Sequence, residues 1–246
     1  MRPCAAQSMG TGTIAMTATA LASRAAAALL AAGLAFATPV HASSLTLDFD
    51  YSFGAVPSDG TAPWLRAVFQ DQGAGIVRLT LSAPGLSADT DGGQPAEYAD
   101  EWWFNLNADY SADNLTAAHV SGLTVTGIDR PGDPGAGAKL KPDGDGTFSF
   151  RFNYAPGTMA LGQTSTYDLA VTGYPGLTAS DFNYFSIPSG GAGPFRAAAH
   201  VQSTGLGNEG SDFVAPNPIP EPASLALLTA SLLGLGLARR GRRSTT

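Results

Sequence analysis

The side chains that could do chemistry are few, and most are carboxylates. Asp143-Gly144-Asp145-Gly146 sets two aspartates at alternate positions, the hard oxygen ligands that calcium requires. The EF-hand pattern nevertheless fails, because Thr147 takes the fifth position and no glutamate stands at the twelfth. Asp-Gly is also a strong hairpin-turn signal, so a tight turn competes with calcium here. The pairs Asp89/Asp91 and Asp129/Asp133 offer less still. Glu101-Trp102-Trp103-Phe104-Asn105-Leu106-Asn107 is the better binding candidate. In an extended strand Trp102, Phe104 and Leu106 share one face, and Glu101, Trp103, Asn105 and Asn107 share the other. The first set reads as core. The second sets a flat indole beside amides and a carboxylate, a surface on which a sugar ring could stack, unless a loop covers it.

Catalytic spacings are missing. His119 and His200 stand far apart, with no His-x-x-x-His or Cys/His pattern for zinc. No Gly-x-Ser-x-Gly elbow announces a serine nucleophile. Both histidines therefore read as structural or exposed. Carboxylates for glycoside hydrolysis are numerous, but only their separation in space could qualify a pair. The expectation is a protein that is not an enzyme and holds no cofactor beyond the calcium just considered.

The elements that must position these residues are strands. Leu45, Leu47, Phe49, Tyr51 and Phe53 alternate with Thr46, Asp48, Asp50 and Ser52, the period of a half-buried strand. Further strands are expected over 64–70, 76–82, 101–107, 120–128, 147–154, 167–171, 182–187 and 196–202, punctuated by Gly and Pro. Thr178-Ala179-Ser180-Asp181 could cap a short helical turn. No amphipathic pattern in the body exceeds two helical turns. The fold class is all-β, a β-sandwich or jelly roll of about 8–10 strands.

Charged residues make up 13% of the chain, against about 25% in typical soluble domains. Between Ser43 and Pro218, 7 basic residues face 19 acidic ones, a net charge of −12. That balance argues against nucleic acid and anionic lipid as partners. The one cysteine, Cys4, precedes the body, so disulfides and a cysteine nucleophile are excluded from it.

Both ends read as addresses. Arg24, the apolar run Ala25 to Ala37, Pro39 and Val40-His41-Ala42 compose a secretory signal cut after Ala42. Met9 and Met16 are alternative starts. Residues 43–204 form the expected β domain, and the Gly/Asn/Pro-rich stretch 205–219 a linker. Residues 220–246 hold Pro220-Glu221-Pro222, the uncharged run 223–238 and Arg239-Arg240-Gly241-Arg242-Arg243. The run's 16 residues span about 24 Å as helix, somewhat short of the ~20 residues of a comfortable transmembrane helix. The arginines mark the cytoplasmic side.

The order of these three parts resembles the PEP-CTERM sorting signal of Gram-negative bacteria, over about the last 30 residues. The segment is also similar to a domain named from ice-binding proteins, which says nothing about ice for this chain. The resemblance implies a transient inner-membrane anchor and processing by an exosortase near Pro220-Glu221-Pro222. Arg239, Arg240, Arg242 and Arg243 would be the cytoplasmic stop. It implies a final place at the cell surface or outside the cell, in the company of exopolysaccharide and biofilm. The expected role is a non-catalytic surface or matrix protein. The alternatives are a carbohydrate-binding module using the Trp103 face and, third, a secreted hydrolase.

Overall fold

The structure is a computed structural model that describes residues 43–90 and 93–217. The signal segment, Pro220-Glu221-Pro222, the 223–238 run and the terminal arginines lie outside the described residues. Among the described residues no helix is long and apolar enough to cross a membrane.

The regular structure of the described residues is mostly strand, with a few short helical turns. Among the described residues eleven strands, one more than the upper expectation, join one antiparallel sheet: β1 (Ser44–Ser52), β2 (Leu65–Gly73), β3 (Ile76–Ser82), β4 (Tyr98–Phe104), β5 (Leu115–Gly122), β6 (Gly127–Asp129), β7 (Phe150–Asn153), β8 (Met159–Ala160), β9 (Thr164–Val171), β10 (Ala197–Thr204) and β11 (Gly210–Pro216). Their order is β5-β9-β3-β2-β1-β11-β10-β4-β7-β6, with β8 beside β4. The expected strand at 120–128 therefore divides between opposite edges of the sheet. Residues 123–126 alone join those edges, and so short a segment spans at most about 18 Å. The sheet must curl. Ring contacts agree: Phe152 of β7 meets Tyr167 of β9 at 5.3 Å, and Phe49 of β1 meets Trp102 of β4 at 5.2 Å.

The concave face holds the main core, with Phe49, Phe69, Leu79, Trp102, Phe104, Phe150 and Phe152 buried. On the outer face cross-strand ion pairs sit in register, Arg66 with Asp48 at 2.5 Å and Arg78 with Asp168 at 2.8 Å. An antiparallel sheet with one wet face takes this alternation. Around β4, β10 and β11 the outer face is also covered. Trp103, Phe148, Phe195, Ala198 and Ala215 make a second buried cluster.

Three expectations need correction. The alternation of β1 does not run through to Phe53. A register shift between Phe49 and Tyr51 breaks the ladder, and Phe53 stacks on Phe195 of the second cluster at 4.4 Å. A bulge moves every later side chain to the other face. The linker does not begin at Gly205, because β11 pairs with both β1 and β10. Residues 182–187 form no strand. The segment Ala179–Phe182 is instead a helical turn, and Asp181 Oδ2 accepts the Thr178 N–H at 2.9 Å, the cap that this sequence suggested.

Candidate functional site

β4 and β10 pair with a second bulge. Glu101 stands opposite His200 and Ala99 opposite Val201, so Asp100 is the extra residue. Two consecutive acidic residues thus face one histidine, the local re-aiming that bulges produce. Asp100, Glu101 and His200 each bring a donor atom to within 4.8 Å of the others. His200 Nδ1 lies 3.0 Å from Asp100 Oδ1, and Gln202 Nε2 donates to Asp100 Oδ2 at 3.2 Å. The imidazole stacks on Phe213, 4.5 Å between centroids.

The cluster continues into a network of charges. Arg151 Nη1 donates to Glu101 Oε1, while Arg151 Nη2 donates to Asp129 Oδ2 at 2.7 Å. Asn153 Nδ2 donates to the same oxygen at 2.8 Å, and Lys139 Nζ binds Asp129 Oδ1 at 2.9 Å. Burial pushes the Glu101 carboxyl up despite Arg151, and the charge of Asp100 adds to the effect. Burial also works against the charge of Asp129. The bonds from Arg151, Asn153 and Lys139 overcome it and hold the carboxyl down to about 2.

Two carboxylates and an imidazole are a fitting donor set for a borderline divalent cation. Such an ion would compete with Arg151 for Glu101. The same two carboxylates are close enough for paired acid–base work, yet Asp100 is tied to His200 and Gln202, and Glu101 to Arg151. The arrangement organises the β4–β10–β7 seam more directly than it presents a reactive group. No spacing in the sequence could reveal it, because a bulge and a 100-residue separation bring His200 to Asp100.

The Trp103 surface is corrected. The indole does face away from Trp102, as alternation requires, but it is 2% exposed. Its Nε1–H donates to the Lys139 carbonyl at 2.7 Å, and the Arg151 guanidinium lies 5.6 Å from its ring centroid. No sugar can stack there while this covering segment is in place. Asn105 is buried too, donating to the carbonyls of Tyr184, Phe195 and Arg196. Of the expected set, only Glu101 and Asn107 keep partial exposure.

Asp143-Gly144-Asp145 forms a helical turn over Pro142–Gly144 in place of a hairpin. Asp145 is buried and accepts the Gly191 N–H, while Asp143 is exposed. The loop 188–194 thus takes one Asp145 oxygen as its acceptor. Asp129, a weaker calcium candidate, is occupied by its three cationic and amide donors. Asp133 accepts the Arg130 N–H.

The comparisons add no relative: no protein-family model, no curated protein and no solved structure matches the chain.

The depressed Asp129 carboxyl makes a pH prediction. A carboxyl held at about 2 in the fold and near 3.9 when unfolded stabilises the protein above the higher value. That contribution is lost as pH falls toward the lower one. Asp129→Asn should cost on the order of 1 kcal/mol at pH 6, allowing for its partial solvent contact. In urea titrations the gap between variant and wild type should narrow at pH 2.5. A gap that stays constant with pH would refute the assignment.

Proposed function

We propose that the chain is an exported, non-catalytic surface or matrix protein that an exosortase processes and that accompanies exopolysaccharide. The observation that carries this reading is the ordered C-terminal series of Pro220-Glu221-Pro222, apolar run and arginines. Its position supports the reading as well. β11 ends at Pro216, and the Asn217 N–H donates to Asp50 at 3.0 Å. Cleavage near residue 220 would therefore leave every strand intact. The curled sheet is read further as a sandwich of jelly-roll type, in keeping with the ring contacts between its far strands.

The test is the mature mass and location in the host with and without its exosortase. The expected product begins near Ser43 and lacks Arg239 to Arg243 only when the exosortase is present. Recovery from the cytosol with those arginines still attached would end the proposal.

A further inference from the structure

We infer that a tyrosine surface formed by three loops binds a neutral polysaccharide. Tyr110 follows β4, Tyr174 follows β9 and Tyr184 precedes β10. The Tyr110 and Tyr174 rings meet edge to face at 5.0 Å. Tyr174 and Tyr184 are 42% and 43% exposed.

The loop after β4 is fixed to the loop before β10, and the Tyr174 loop meets the first through its ring. The Asn107 N–H donates to the Asp181 carbonyl at 2.8 Å, and Asn107 Nδ2 donates to Asp181 Oδ1 at 3.1 Å. The Asp109 N–H donates to Asn107 Oδ1 at 3.1 Å. Asn105 Nδ2 donates to the Tyr184 carbonyl at 3.1 Å. These two loops are therefore organised before any ligand arrives, which lowers the ordering cost of binding. Burial raises the Tyr110 hydroxyl first, with Asp181, Asp109, Tyr184 and Tyr174 adding to it. Asp109 is the chain neighbour of Tyr110, and Asp181 is bonded to Asn107 of the same loop.

This mixture selects its ligand. The negative face of an aromatic ring attracts the weakly positive C–H groups of a pyranose. Asp109 is exposed and can accept a sugar hydroxyl, and tyrosine hydroxyls can donate and accept. An anionic polymer would meet the charges of Asp109 and Asp181 on a body of net charge −12, which disfavours uronic-acid chains and nucleic acid. A proline-rich peptide also packs on aromatic rings, but its prolines bring no hydroxyl for Asp109 to accept. The choice of a polymer over a free sugar rests on the matrix role proposed above; the choice of a neutral saccharide rests on the loops alone.

Protein recovered from its host should be tested by affinity electrophoresis in dextran, laminarin and hydroxyethyl cellulose, with alginate as the anionic polymer. A synthetic proline-rich peptide, titrated by calorimetry, tests the competing class. Retardation in at least one neutral polymer is expected. Tyr174→Ala and Tyr184→Ala should each weaken it about tenfold, with unchanged melting temperature because both rings are half exposed. Tyr174→Phe and Tyr184→Phe should stay within about threefold, since the ring face is kept. Retardation by alginate alone, affinity for the peptide alone, no retardation by any polymer, or alanine variants that bind like wild type would each overturn the inference. Binding without exosortase processing would overturn only the sorting proposal, and processing without binding only this one.

Discussion

Arg151→Met should destabilise the protein by about 3 kcal/mol at pH 7, the range expected when one partner of a buried ion pair is removed. The guanidinium is 12% exposed and holds two carboxylates, Glu101 at 28% and Asp129 at 13% exposure. Methionine keeps much of the volume and lies against Trp103 without the charge. Glu101 would then keep its burial and the repulsion of Asp100 with no cation beside it. Lys139 would remain as the only cation bonded to Asp129 among the described residues. Urea unfolding at pH 7 measures the loss. The triple variant Arg151→Met, Glu101→Gln, Asp129→Asn should recover more than half of it, because the uncompensated charges are gone. A single variant within 0.5 kcal/mol of wild type would show that water already screens the network.

Trp102→Ala should cost about 3–5 kcal/mol, the usual range for removing a large buried aromatic. Trp102 is fully buried and lies where β4 meets β1 across the curl, 5.2 Å from Phe49 and 6.5 Å from Phe104. The residues around it belong to strands on both arms of the sheet, so collapse into the space left behind is restricted by the ladders on each side. Trp102→Phe should cost less than half as much, since it keeps a ring against Phe49. Thermal and urea unfolding of both variants tests this. An alanine variant that loses under 1 kcal/mol would mean that the two arms do not pack through this residue.

What could be read from the sequence was the alternation, and only while the ladder stayed regular. Ile76–Ser82 is the strand expected, and Trp102, Phe104 and Leu106 face the core as expected. Alternation gives the face of a side chain but not what lies over that face, so Trp103 read as a binding surface when the segment near Lys139 closes it. The bulges at Asp50 and Asp100 left no trace in composition. The second one builds the carboxylate–histidine cluster, which is why His200 read as incidental. β11 was hidden by its neighbours Gly205, Gly207 and Asn208 and by an inward Asp212, whose Oδ1 accepts the Gly54 N–H at 3.0 Å. A fully buried aspartate reads as loop until its partner is known.

The place of β11 between β1 and β10 sets the timing of assembly. The strand that joins the two arms is the last of the body to leave the ribosome, and it pairs with the first. Until Pro216 has emerged, β1 and β10 each lack a neighbour, and such distant pairings form late and slowly. The export proposed above would have the chain pass before this closing pair is made. The sheet is closed by its last strand, and β1 and β10 are joined only through it.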